Sequence, residues 1–294
     1  MKLLLRPELC SPGLARRLAT DSELTRALGA VPNPAVGLLF KKSIDSRSPE
    51  MLSLLLHAEA LGERVAFLRD LQFTSAELTE SSHLEVVCRR TAAQTNAERS
   101  RTLEDYRALS LLETASRWPV RIPNVVYLSK QIPTDTIVQV DQYTGEYAMG
   151  AGASPLLTDA SLSGYRLAPI VHWKTRAARP EIGMHLSSKY LWPAVSASLT
   201  QGQMSDLQRS RLLSYEPSAY AGAPDFGRTA EPWGSWQTPQ WIVSQRVRTW
   251  AGANGVKGWD FWPVLEEGSA LHAVHAAVWG HASRLLDGAG ARLA

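Results

Sequence analysis

The sequence predicts an α+β fold: a helical N-terminal region over residues 1–118, then a mixed, mainly antiparallel α+β region over residues 119–294 with a weak internal repeat. Three observations predict it. Capping and proline signals frame helically spaced apolar residues as far as Trp118-Pro119. Short β-prone runs broken by glycine and proline take over beyond that point. Six of the ten tryptophans crowd between Trp233 and Trp262. No flexible linker separates the two regions, so one continuous domain is compatible with the pattern.

In the first region, Ser11-Pro12 supplies an N-cap and a first-turn proline for a helix through Leu14 and Leu18, extending to Gly29. The segment Val31-Pro32-Asn33-Pro34 reads as a turn. Ser48-Pro49-Glu50 opens a second helix, in which Leu52, Leu55, Leu56, Val65 and Leu68 keep helical spacing. Thr74 and Glu77 have the spacing of a capping box, which predicts a third helix carrying Cys88. A fourth runs from Asn96 to Arg117 and stops at Trp118-Pro119, since proline disfavours helix at the residue before it.

In the second region, Val125–Leu128 and Thr136–Val140 are β-prone. A final helix spans Ala270 to Leu286. The repeat pairs Pro155–Leu162 and Gly164–Ile170 with Pro239–Val247 and Gly258–Val264. Each copy reads as proline, apolar strand, polar cap, helix, glycine turn, and a strand stopped by proline.

Composition narrows the function classes. Hydrophobic residues make up 45% of the 294 and charged residues 20%, the balance of a globular chain. The formal charge is +3, from 31 basic against 28 acidic residues, which leaves no concentrated basic stripe for nucleic acid. Cys10 and Cys88 cannot build a disulfide framework and read as reduced thiols. The apolar run Leu3-Leu4-Leu5 is cut short by Arg6-Pro7, below the roughly 7–15 residues of a signal peptide. No segment reaches the ~18 apolar residues of a membrane span. A cytoplasmic location without membrane association is expected.

Motifs that would carry chemistry are incomplete. His272, His275 and His281 lie on the last helix, but no Cys-x-x-Cys or His-Glu-x-x-His accompanies them, so a polar helix face near Trp279 is expected and no metal. His57-x-Glu59 lacks the Pro-Cys-x-x-Cys half of a zinc-deaminase signature. Asp225-Phe226-Gly227 lacks the glycine-rich loop and catalytic loop of a kinase and reads as a loop tripeptide. Gly150-x-Gly152 lacks the third glycine of a dinucleotide fingerprint. The pairs Arg16-Arg17, Lys41-Lys42, Arg89-Arg90 and Arg99/Arg101 have acidic residues nearby and read as solvated faces or as sites for an acidic partner or phosphates. No catalytic residue, cofactor or metal is expected.

The tryptophan cluster admits three readings: aromatic core packing, an interface, since tryptophan and arginine are enriched at binding hot spots, and, as a minor one, stacking of sugars or bases. On a strand, Trp259 and Phe261 share one face while Asp260 and Trp262 share the other. Trp259 and Phe261 are therefore expected in the core. Trp262 and Asp260, with Arg246 or Arg248, are expected to border a partner site.

The segments Pro239–Val247 and Gly255–Val264 resemble the closing motif of the myxobacterial-type immunity proteins associated with polymorphic toxins. Leu103–Leu109 and Pro155–Leu157 resemble the middle of that family's double Cys-x-x-Cys-Gly branch. The paired cysteine knuckles of that branch are missing here, so its zinc role does not carry over. The resemblance implies a cytoplasmic antidote that binds and blocks a cognate protein toxin, and it supplies no catalytic residues. The alternatives are an enzyme with a dispersed site in the C-terminal region, or a nucleic-acid-associated protein using the N-terminal arginines.

Overall fold

The computed structural model describes the chain except residues 8–11, 34–36, 64, 89, 93, 109–124, 142–144, 194–211, 234–237, 289–291 and 294. The chain opens with strand β1 (Lys2–Pro7), helices α1 (Pro12–Ala19) and α2 (Ser22–Leu28), and strands β2 (Ala30–Asn33), β3 (Gly37–Phe40) and β4 (Ile44–Asp45). Helix α3 (Pro49–Glu59), strand β5 (Ala66–Gln72) and helix α4 (Ser75–Glu80) follow. The local signals hold where they are strongest. Ser48 caps α3 through Met51 N–H, with Pro49 in the first turn. Thr74 N–H donates to Glu77 and Glu77 N–H to Thr74 Oγ1, the reciprocal capping box of α4.

Next come β6 (His83–Cys88), α5 (Asn96–Ala108), β7 (Ile137–Asp141), β8 (Glu146–Met149), α6 (Ala153–Thr158), β9 (Arg166–Pro169), β10 (Met184–Ser187) and β11 (Ser214–Tyr215). They are followed by β12 (Phe226–Trp233), β13 (Thr238–Ser244), α7 (Gln245–Ala253), β14 (Trp259–Pro263) and β15 (Leu265–Glu266). Helix α8 (Ala270–Gly288) and strand β16 (Arg292–Leu293) close the chain.

The fold is α+β with mostly antiparallel sheets. The chain divides into two compact units. Residues 1–77 and 268–294 form the first, residues 78–267 the second. In the first, the sheet order is β16-β5-β1-β4, with Leu3, Leu5 and Phe67 fully buried. In the second, one sheet has the order β7-β8-β10-β9 and another β12-β13-β6-β14.

Several expectations are corrected. The N-terminal region is not purely helical, because among its described residues strands β1 to β6 run between helices α1 to α5. Lys2 pairs opposite Gln72 and Ile242 opposite Glu85, so remote partners convert these segments to strand. Cys88 therefore ends a strand, not a helix. The expected helix from Ser11 to Gly29 is broken at Thr20, where Asp21 caps a second helix that Gly29 closes at φ 58°. The compact units divide at 77/78, and residues 268–294 rejoin the first unit, where β16 pairs with β5. The two repeat copies differ: Pro155-Leu156-Leu157 lies within helix α6, whereas Pro239–Val243 lies in strand β13. Proline in the first turn of α6 is compatible with helix, so the shared letters do not impose strand. The expected stretch Leu109–Arg117 of the fourth helix, and Trp118 and Trp236, lie outside the described residues.

Candidate functional site

Strand β14 is an edge. It pairs antiparallel with β6, Trp259 opposite Cys88 and Trp262 opposite Glu85, and among the described residues no strand lies on its other side. Val264 N–H donates to His83 O at 3.0 Å. In an antiparallel ladder the hydrogen-bonded pairs alternate, so Trp262 and Asp260 bond toward β6 while the backbone groups of Trp259 and Phe261 face outward. The strand is pinned where it starts. Lys257 N–H donates to Asp135 O at 2.9 Å and Ile137 N–H to Lys257 O at 2.8 Å. Gly258, at φ 105°, lies so close to Ile137 that a Cβ would strike its carbonyl oxygen.

The two faces of β14 differ. Trp259 and Phe261 pack on a core built from Leu84, Val86, Tyr147, Phe226, Trp241 and Val243. Trp259 lies 5.9 Å from Tyr147 and 6.2 Å from Phe261, ring centre to ring centre. Both are half-buried rather than fully enclosed, as an edge position dictates. Asp260 and Trp262 point to the other face beside Val87 and Glu85 and are also half-exposed.

The structure does not gather the four expected partner-site residues into one patch. Helix α7 buries Val247, Trp250 and Ala251 in the same core as Trp259 and Phe261, so it covers the face opposite Trp262. Arg246 extends from it to Asp225 Oδ2 and Ser161 O, each at 3.0 Å. Arg248 reaches Thr79 Oγ1 and Gln245 Oε1, each at 3.4 Å. Asp260 and Trp262 belong to the edge; Arg246 and Arg248 brace the helix on the other side.

The tripeptide Asp225-Phe226-Gly227 is a structural joint at the start of β12 rather than a loop. Asp225 accepts from Ser163 N–H at 2.9 Å and Ser244 Oγ at 2.6 Å, and Phe226 is fully buried. Gly227 faces the indole of Trp192, where a Cβ would fall 2.8 Å from Nε1.

A buried ionic centre escaped sequence reasoning. Arg228 Nη1 and Nη2 donate to the two oxygens of Glu146 at 2.6 and 2.9 Å, and His185 Nε2 lies 2.7 Å from Glu146 Oε2. The Arg228 guanidinium sits 4.3 Å from the Trp241 ring centre, and Tyr147 stacks on the same indole at 5.2 Å. Burial pushes the Glu146 carboxyl up, but the Arg228 charge and the His185 and Arg228 hydrogen bonds outweigh it and hold it below the usual carboxylate range. Glu146 and Arg228 are 0% exposed and His185 1%, so no substrate reaches them. The centre holds strands together. Its members are up to 82 residues apart, and no local motif marks them.

The second sheet face near β6 carries an aromatic group. His83 lies 4.9 Å from Trp192 and 5.5 Å from Tyr220, and burial lowers its pKa to about 4. On α8, His275 stacks on Trp279 at 6.2 Å, and burial, aided by His272, brings its pKa down to about 4. Among the described residues no group of three or more His, Cys, Asp or Glu could hold a metal ion. Nor is any described helix long and apolar enough to cross a membrane. Cys88 donates to Arg90 O at 3.3 Å, and burial pushes its thiol pKa up.

Comparison with family models, with curated proteins and with solved structures returns no match.

Proposed function

We propose that this chain is an immunity-type antidote that acts in the cytoplasm by binding a cognate protein toxin along β14, and that it is not an enzyme. One observation carries the reading. Strand β14 offers an edge free of any described strand, with outward backbone groups at Trp259 and Phe261 and a half-exposed tryptophan, Trp262, beside them. Open sheet edges recruit a strand from another chain, and a flanking tryptophan adds the anchor such contacts rely on. The absence of immunity-type zinc knuckles is no obstacle, since a strand edge binds through backbone hydrogen bonds.

Co-expression with the product of the neighbouring gene tests this reading. The neighbour is expected to arrest growth alone, to be neutralised by this chain, and to be released by Trp262→Ala. A neighbour that is harmless, or that is neutralised equally by the Trp262→Ala chain, contradicts it.

A further inference from the structure

The second unit contains a cavity of about 320 Å3, at the lower end of small-ligand sites. Leu128, Ile132 and Val138 form its floor; they belong to a core shared with Val126, Val140 and Ile182. Ala92 and Pro133 line it further, and Arg90, Thr91, Lys130 and Gln131 add polar groups. None of the described lining residues is acidic.

The walls are fixed by backbone bonds. Ala92 N–H donates to Gln139 O at 2.7 Å, Gln139 N–H to Arg90 O at 2.8 Å, and Ile132 N–H to Ile182 O at 2.9 Å. Two carboxylates close in sequence to the lining are engaged elsewhere. Glu98 accepts from the Ser129 hydroxyl and from Thr95 N–H, and Asp135 accepts from Lys257 Nζ at 2.6 Å. Among the described residues Arg90 and Lys130 form no ion pair, and both are exposed. Two exposed cations lining a preformed apolar hollow select for one kind of molecule. The apolar floor favours a hydrocarbon or aryl body, and the guanidinium and ammonium favour a carboxylate at its end.

We infer that this cavity binds a small amphipathic carboxylate, its apolar body on Leu128, Ile132 and Val138 and its anion at Arg90 and Lys130. A sugar or other polar ligand would leave the floor unmatched, and a cationic ligand would meet like charge. No lining residue belongs to β14, and small-carboxylate binding is read without any toxin, so failure here is distinguishable from failure of toxin binding.

Calorimetric titration of the full chain with octanoate, hexanoate and acetate tests the inference. Octanoate is expected to bind one site per chain, hexanoate more weakly, and acetate not measurably. Arg90→Gln/Lys130→Gln is expected to weaken octanoate binding about tenfold or more, two charge-assisted contacts being lost. Both side chains are exposed, so the melting temperature should not move, and Lys189→Gln serves as a surface control with unchanged binding. Absence of saturable octanoate binding overturns the inference. So does equal binding by the double variant, or acetate binding as tightly as octanoate.

Discussion

The guanidinium of Arg228 lies 4.3 Å from the ring centre of Trp241, with Arg228 wholly enclosed and Trp241 1% exposed. Trp241 is opposite Val86 on β6 and donates its indole N–H to Gly145 O at 2.9 Å, in the turn that feeds β8. The pair therefore links the two four-stranded sheets of the second unit at the point where Glu146 needs its counter-charge.

Breaking that centre from one side should be costly. Arg228→Met leaves the Glu146 carboxylate buried with only His185 beside it and should cost about 3–5 kcal/mol. Arg228→Met/Glu146→Gln should recover much of the loss, because neither variant side chain leaves a buried charge. Urea unfolding of the three chains provides the check. A single variant within about 1 kcal/mol of wild type would contradict the assignment.

Acid stability should fall in two windows. His83 and His275 have pKa values lowered from 6.5 to about 4, so the unfolded chain binds more protons than the folded chain between those values. Stability is thus lost as pH falls from 6.5 toward 4. Glu146, depressed from 4.5, adds a loss as pH falls through its lower folded value. Melting temperatures read across this range should show the upper slope reduced in His83→Gln and in His275→Gln. A flat profile between pH 6.5 and 4, or slopes unchanged in both variants, would be the wrong result.

Gly258→Ala should destabilise by about 1–3 kcal/mol, since it forces a side chain into a left-handed φ against the Ile137 carbonyl. Gly252→Ala in α7, where a Cβ meets nothing within 4 Å, should stabilise by up to ~1 kcal/mol. The two are compared by denaturant midpoint, and equal effects would refute the pinning of β14.

How much of this was legible varies by element. Ser48-Pro49 and Thr74–Glu77 were readable because a cap is satisfied within a few residues. The strand alternation that separates Trp259 and Phe261 from Asp260 and Trp262 was readable for the same reason. Strands β1, β5 and β6 were not, since Leu3 becomes strand by facing Leu71, and β6 lies between β13 and β14 from far along the chain. The placement of Arg246 behind the edge needed the position of α7, which spacing does not encode. Glu146, His185 and Arg228 each look ordinary in the sequence and meet only in three dimensions.

Trp259→Ala should cost about 3 kcal/mol through lost contact with Tyr147 and Phe226, and Trp262→Ala far less. Thermal unfolding of both variants decides it, and equal losses would mean that Trp262 is a core residue.

The central claim is that a protein partner pairs with the outer side of β14. Amide hydrogen exchange at Trp259 and Phe261 tests it most directly, since their N–H groups face away from β6. With the neighbouring gene's product bound, both amides should exchange at least tenfold more slowly than in the free chain, while Asp260 and Trp262, already bonded to β6, change little. Unchanged exchange at Trp259 and Phe261 in a saturated complex would contradict it.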